Sequence, residues 1–493
     1  MTDAAAPMPD LAGIPASIPA TDPLAPYDAV LLLSYGGPRR PEDVLPFMRN
    51  ATAGRGVPDS RLLEVSGHYQ GFGGASPINA RNAELRDALQ ARLAERGSTL
   101  PIIVGNRNWH PFVSQALREL ADAGARRVLA LPTAAFGSYS GCRQYREDLA
   151  GAAALLAAGA DGSTGDGFEA DAAARVGGEG GAPVDLTVDK TRPYYNTPGL
   201  LEANVDAIVE AYGTLAEQGV AAADVRLVLV THSIPLGMEA GSAPTPESDG
   251  ASESAGAGQP AGRPAGPREP GVTADLSTEV SYVAQHRALA AVLVPEVARR
   301  LGLEEVESDL VYCSRSGPPQ ARWLEPDVND HLEALAVGQL TDGSPADRPG
   351  GVVVAPFGFI SDHMEVVFDL DTEAAQTARD LGMPYARAAT VGTHPAFVDS
   401  LVDILIERAA VARGEDVHPA STTGVGPFHT VCPPSCCRPG THHPGRHSRH
   451  GADGAAHESA AGHQPAADGS CRPASAEPES LKPASCGRMK EKR

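Results

Sequence analysis

The chain has 493 residues and a formal net charge of −22. That is length for two or three ordinary domains, with an acidity that would repel nucleic acid over most of the surface. Its seven cysteines stand in a long chain with no export signal, which speaks against a disulfide framework.

The first 26 residues are mostly Ala, Pro, Asp and Thr without Lys or Arg, so they read as a disordered tail rather than a secretory signal. Apolar runs follow at 29–33, 101–104, 127–131, 226–230, 310–313 and 351–355. Each is short and continuous, as parallel strands covered on both faces should be. Helical stretches at 79–96, 110–123 and 200–218 lie between them. The alternation predicts an α/β fold with parallel, doubly wound sheets. Two segments, 161–183 and 239–271, are too poor in large apolar residues to fold and read as mobile inserts. From about 438 onward the chain is His-, Gly-, Pro- and Ser-rich and reads as a second disordered tail. Its histidines, His442, His443, His447 and His450, are either incidental or a loose metal binder. The longest small-apolar run, 149–160, falls short of the ~20 residues needed to cross a bilayer. A soluble, cytoplasmic protein is expected.

In sheets of this kind ligands bind beyond the carboxyl ends of the strands. Tyr35, Arg107, His110, His232, Arg315 and the group Asp362, His363 and Glu365 fall there, although any chain keeps polar residues in such loops. No phosphate loop ending in Gly-Lys-Ser/Thr, dinucleotide fingerprint, nucleophile elbow or zinc-protease helix is present, although Ser34-Tyr35-Gly36-Gly37-Pro38 after a strand leaves a phosphate-cradling loop as an alternative. His232, directly after a strand, is a turn residue or a general base, since imidazole titrates near neutrality. Tyr35 is a capping aromatic, an oxygen ligand or a stacking ring. Trp109 and His110 pack a loop or line a pocket for a large flat ligand. The run from Ser361 to Glu373 predicts a helix capped by the Ser361 hydroxyl. On it Glu365, Asp369 and Glu373, spaced by four, share one face. That face is either a solvated acidic surface or a ridge suited to a divalent cation.

In chain order the motifs Leu32-Leu33-Ser34-Tyr35-Gly36-Gly37-Pro38, Gly74-Ala75-Ser76-Pro77, Asn108-Trp109-His110-Pro111, Thr231-His232-Ser233-Ile234-Pro235, Tyr312-Cys313-Ser314-Arg315-Ser316-Gly317-Pro318, Trp323-Leu324-Glu325-Pro326 and Ser361-Asp362-His363-Met364-Glu365 resemble those of ferrochelatases, enzymes that insert ferrous iron into a porphyrin. The resemblance covers roughly 27–414. It implies two Rossmann-like lobes, 27–188 and 189–394, with the porphyrin in the cleft between them. A helix at 395–414 then returns to the first lobe, and a cysteine-bearing segment follows at 415–437. It also implies that His232 accepts pyrrole protons opposite Glu365, with Asp369 and Glu373 continuing as a file for metal or protons. Tyr35 matches a tyrosine of the coproporphyrin-using branch that can ligate iron. Coproporphyrin III is therefore the expected substrate and coproheme the product, with a protoporphyrin IX enzyme as the alternative. A non-catalytic porphyrin or heme carrier and a cobalt- or nickel-tetrapyrrole chelatase are the other readings. Arg107, Trp109, His110, Arg315, Ser361, Asp362 and His363 are the expected porphyrin pocket, and Fe2+ is the second substrate. Transient contact with neighbouring enzymes of heme biosynthesis would follow.

Cys432-Pro433-Pro434-Ser435-Cys436-Cys437 gathers three thiols in a short span, which points to metal ligation in a reducing compartment. Cys142 matches the internal cysteine of cluster-bearing ferrochelatases. The resemblance therefore implies a [2Fe-2S] cluster on Cys142, Cys432, Cys436 and Cys437. A zinc site or a free-thiol segment stays open beside it. Cys471 and Cys486 are expected to be unpaired.

Overall fold

The computed structural model describes residues 19, 21–53, 57–159, 182–242, 281–315, 321–433 and 436–439. The inserts expected at 161–183 and 239–271 lie almost wholly outside the described residues, as do the tail histidines, Cys471 and Cys486.

The fold rests on two four-stranded sheets. The first half runs β1 (Ala29–Ser34), α1 (Val44–Ala51), α2 (Asp59–Gly71), α3 (Ile78–Glu95), β2 (Ile102–Asn106), α4 (Val113–Asp122) and β3 (Arg127–Pro132). A short π-helix (Tyr139–Arg143), α5 (Gln144–Ala157) and β4 (Thr187–Lys190) complete it. The second half runs α6 (Pro198–Glu217), β5 (Val225–His232), α7 (Leu236–Ser242), α8 (Tyr282–Leu301), β6 (Ser308–Cys313), α9 (Val328–Ala336) and β7 (Gly351–Ala355). It continues through α10 (Met364–Val366), a π-helix (Val367–Ala374), α11 (Ala375–Asp380), β8 (Tyr385–Arg387) and α12 (Pro395–Ala412). The strand orders are β2-β1-β3-β4 and β6-β5-β7-β8, and every pairing is parallel. The chain therefore contains the same open α/β arrangement twice.

Every residue of β1 is buried, because helices cover both faces of the sheet. Leu31 and Leu33 pack with Leu117 and Leu120 of α4, while Val30 and Leu32 join the side that holds Leu89 and Leu93 of α3. Each buried Leu of this kind contributes about 1.5–3 kcal/mol. The core begins before the boundary expected at residue 27, since Leu24 is fully buried. α12 lies against both α6 and α3. Arg92 of α3 and Arg96 just past its end reach Asp399 and Asp403 of α12. At Gly199 a Cβ would fall 1.8 Å from the Ala396 carbonyl oxygen, so only glycine allows α6 and α12 to touch there. Residues 239–242, expected to start a loop, are instead the last turn of α7.

In both sheets the first strand of the half sits between the second and third. The order of connection reverses beside it, which is where open α/β sheets form a ligand crevice. Tyr35 follows β1 directly and His232 ends β5.

Candidate active site

His232 is oriented from its own backbone. Its Nδ1 lies 2.5 Å from the Ser233 carbonyl, to which an Nδ1–H donates, and its Nε2 lies 3.5 Å from Glu365 Oε2. Burial alone would oppose charge on the imidazole, but Glu365 outweighs it and leaves the pKa above its ordinary value. Burial would likewise raise the Glu365 carboxyl, yet His232 and then His363 pull it down to about 2. The His363 Nδ1 stands 3.8 Å from the same oxygen and is held neutral by burial. Glu365 keeps 42% of its side chain open to the cleft, so this charge pair is deep but accessible.

The helix carrying Glu365 begins later than expected. Ser361 is buried before it, His363 occupies the extended N-cap position without a side-chain cap bond, and helical residues start at Met364. From Val367 to Ala374 the turn is π rather than α. A π turn is wider, and such turns recur at functional sites. Asp369 hydrogen-bonds Ser314 across from β6. Burial, together with Glu365 and Glu373, pushes its pKa up to about 7 against the Ser314 hydrogen bond. Glu373, nearer solvent, is raised by burial. Ser314 has φ 63°, a left-handed conformation that costs a non-glycine residue about 1–2 kcal/mol. It holds the hydroxyl that Asp369 uses.

The first half supplies the opposite wall. Tyr35 is 38% exposed, its ring edge on Phe47 at 6.2 Å. Gly36 follows with φ +79°, and a Cβ there would meet Asn106 at 2.8 Å, so glycine is required for the turn. Trp109 packs edge-on to Phe47 at 6.3 Å, and His110 is exposed with Nδ1 3.1 Å from Gln115. Tyr69 of α2, absent from the sequence reading, lies within electrostatic reach of Glu365, Tyr35 and Asp369, and burial raises its pKa. One residue earlier His68 stacks on Phe368 of the π-helix, with centroids 4.0 Å apart at 11°. Nothing in the local pattern of α2 marks either residue; only the closing of the two halves brings them in.

The two cations of the expected porphyrin pocket are paired within the protein. Arg107 bonds Asp148 at 2.5 Å and has its guanidinium 4.5 Å from the Tyr145 ring centroid. Arg315 sits 3.4 Å from Glu325 and 3.7 Å from Asp330. Asp362 is held at 3.1 Å both by Arg387 and by Thr390, so it braces the loop before Glu365.

The four cysteines singled out in the sequence also converge. Cys142, Cys432, Cys436 and Cys437 line one small pocket with Arg143, Arg146 and Lys190. Cys436 and Cys437 Sγ are 3.6 Å apart, and Lys190 Nζ is 3.3 Å from Cys142 Sγ. Hydrogen bonds from the Cys432 and Cys437 thiols lower the pKa of Cys142 and Cys436, giving both thiolate character. Arg146 bonds the Cys432 and Pro433 carbonyls and Arg143 the Cys436 carbonyl, each at 3.3 Å. Cys437 is the other non-glycine residue with positive φ among the described residues, at 50°. Among those residues no three His, Cys, Asp or Glu side chains close on a point as a single-ion site requires. Cys313 is a buried thiol of β6.

The fold and cleft define a two-lobed α/β protein that pairs an imidazole with a file of carboxylates. The family model described as Ferrochelatase matches residues 27–409. The coproporphyrin III ferrochelatase of Streptomyces coelicolor is 42% identical over 84% of this chain and 94% of its own. That of Streptomyces griseus is 42% identical over the same shares. Among solved structures, SirB from Bacillus subtilis with Fe3+ has a TM-score of 0.38 at 12% identity, over 78% of this chain and 97% of its own. The chain belongs to the ferrochelatase family, enzymes for which Fe2+ is a substrate. Among the described residues no helix is long and apolar enough to cross a membrane.

Proposed function

We propose that this enzyme inserts Fe2+ into coproporphyrin III, releasing two protons and giving coproheme in heme biosynthesis. The observation that carries the reading is the His232–Glu365 pair, 3.5 Å apart, with Tyr35 on the opposite wall. The curated names of the relatives support the choice of porphyrin. In the free enzyme His232 and Glu365 share one proton. An arriving dication drives that proton off the imidazole toward Asp369 and solvent, and the emptied pair then accepts the two pyrrole protons one after the other, handing on the first before it takes the second. Asp369, titrating at about 7, is matched to pass it outward toward Glu373. Tyr35 offers an oxygen ligand from the other face. Oxygen and imidazole donors hold ferrous iron moderately, so it can move on to the porphyrin nitrogens. Trp109, His110, Ser361, Asp362 and His363 are assigned to the porphyrin pocket, and Arg107 and Arg315 to its support.

The experiment is turnover with Fe2+ and coproporphyrin III, protoporphyrin IX or a sirohydrochlorin-type ring in parallel. Preference for coproporphyrin III is the expected result. Equal or faster turnover of protoporphyrin IX overturns the substrate, and binding without turnover of any ring overturns catalysis in favour of a carrier.

The sulfur pocket is assigned a [2Fe-2S] cluster on Cys142, Cys432, Cys436 and Cys437. Four sulfur donors, two of them with thiolate character, beside a lysine fit a cluster of net negative charge. When bound, it would supply one-electron redox chemistry and tie the π-helix at Tyr139–Arg143 to the C-terminal segment. Brown protein with two irons and two acid-labile sulfides per chain is expected, by analogy with the cluster's composition; colourless protein holding zinc overturns it. Thiols kept for such a group support a reducing, cytoplasmic setting.

A further inference from the structure

Lys190 ends β4, an edge strand that the sequence pattern does not mark. Its ammonium bonds Cys142 Sγ at 3.3 Å and the Thr191 carbonyl at 2.8 Å. Among the described residues it forms no ion pair with a carboxylate. Its counter-charge is therefore the sulfur set itself. The two neighbouring arginines differ, because Arg143 and Arg146 reach backbone carbonyls of the cysteine segment and hold its path. On the other side His429 has its Nε2 buried with no hydrogen-bond partner among the described residues, and it lies within electrostatic reach of Cys436 and Cys142. A buried polar nitrogen without a partner next to thiolates calls for an acceptor at that place.

We propose that Lys190 is an outer-sphere donor that sets the reduction potential of the metal–sulfur group in this pocket, with His429 Nε2 as a second, weaker donor to the same group. The inference rests on the cluster assignment above and deepens it. Reduction adds one electron to a group that is already anionic. A fixed positive charge hydrogen-bonded to one sulfur ligand stabilises the added charge and raises the potential, as outer-shell donors do at other iron–sulfur sites. Among the described residues Lys190 bonds only Cys142 and Thr191, so it acts through Cys142 and is not catalytic.

The test is a dithionite redox titration of the full-length protein, followed by visible absorbance and electron paramagnetic resonance, with dithionite as the electron source. Lys190→Met keeps the length of the side chain and removes the charge. Iron and acid-labile sulfide should stay at wild-type levels. The oxidised-to-reduced ratio at the wild-type midpoint should rise roughly tenfold, a fall of ~59 mV for one electron. His429→Leu should move it the same way by less. Arg146→Met, which removes a charge bonded only to carbonyls among the described residues, should move it least. If Lys190→Met fails to assemble the group, the His429→Leu shift decides alone, and no shift there overturns the proposal. Unchanged potential in Lys190→Met with the cluster present overturns this inference and leaves the cluster assignment standing. An equal shift in Arg146→Met overturns the specific role of Lys190. Wild-type protein without acid-labile sulfide overturns both.

Discussion

The cleft and the sulfur pocket handle metal in opposite ways. In the cleft the ligands are imidazole, phenol and carboxylates, and Glu365 is 42% open. Glu365, Asp369 and Glu373 follow one another along the turn, and burial first, then the carboxylates on either side, leaves Asp369 at about 7. In the sulfur pocket Cys142, Cys436 and Cys437 are nearly fully buried, and Lys190 neutralises the site from within. An open, charge-frustrated site suits a metal that must leave, whereas a closed, charge-balanced one suits a metal that stays. Each site contains one non-glycine residue in the left-handed region, Ser314 in the first and Cys437 in the second. Local strain is thus placed at both, but it aims a hydroxyl at a carboxylate in one and a sulfur at other sulfurs in the other.

The largest expected effect separates the sites completely. His232→Ala should lower kcat by about 10³-fold, within the usual contribution of a positioned base, while porphyrin binding and iron–sulfide content stay unchanged. Stopped-flow formation of the metalloporphyrin and porphyrin fluorescence quenching measure the two parts. A wild-type rate removes His232 from the chemistry. Next in size, Cys142→Ser should abolish the visible chromophore and leave Lys190 without its counter-charge. Stranding a buried cation in this way costs ~3 kcal/mol. A thermal melt that is unchanged would mean that the pocket does not brace the C-terminal segment.

Asp369→Asn addresses the charge frustration. The Asp369 pKa lies at about 7 in the folded protein and near ~3.9 in an unfolded chain. Between those values the folded state binds more protons, so this group makes stability fall as pH rises from about 4 to about 7. The Asn variant should lose that fall, and denaturant midpoints at pH 5 and pH 8 should converge. If Asp369 relays protons, the wild-type rate rises with pH through about 7, and the variant loses that limb along with ~10-fold in rate. Retention of the limb in the variant assigns the titration to another group.

Much of this was legible before the structure. The apolar runs at β1, β2, β3, β5, β6 and β7 announce themselves because buried parallel strands need continuous hydrophobicity. β4 and β8 do not, since Thr-Val-Asp-Lys and Tyr-Ala-Arg are edge strands too short and polar to register. His232 and Glu365 stand out by position after a strand, and the structure places them side by side. The π turn is not readable, because residues spaced by four fall near one face in either helix. Tyr69, His68 and Lys190 are ordinary residues in their own elements. They acquire neighbours only through tertiary closure, which local patterning does not encode. Arg107 shows the converse: its strand-end position is right, but Asp148 and Tyr145 occupy it.

The smallest expected effect concerns the contact that joins the cleft walls. His68 belongs to α2 in the first half, and Phe368 to the π-helix in the second; their rings stack at 4.0 Å, with Phe72 edge-on at 6.5 Å. Phe368 lies one residue before Asp369, on a turn whose backbone is already displaced from α geometry. An aromatic pair of this kind is worth about 0.5–1.5 kcal/mol. His68→Ala removes it, and of the three carboxylates only Glu373 loses the pull of its imidazole. If the stack holds the halves at the spacing that fits a flat ring, KM for the porphyrin should rise about 2- to 10-fold with kcat nearly unchanged, because binding is lost equally from ground and transition states. If instead kcat falls while KM stays, the stack positions Asp369 for chemistry, and the separation between wall and proton path drawn above fails at Phe368.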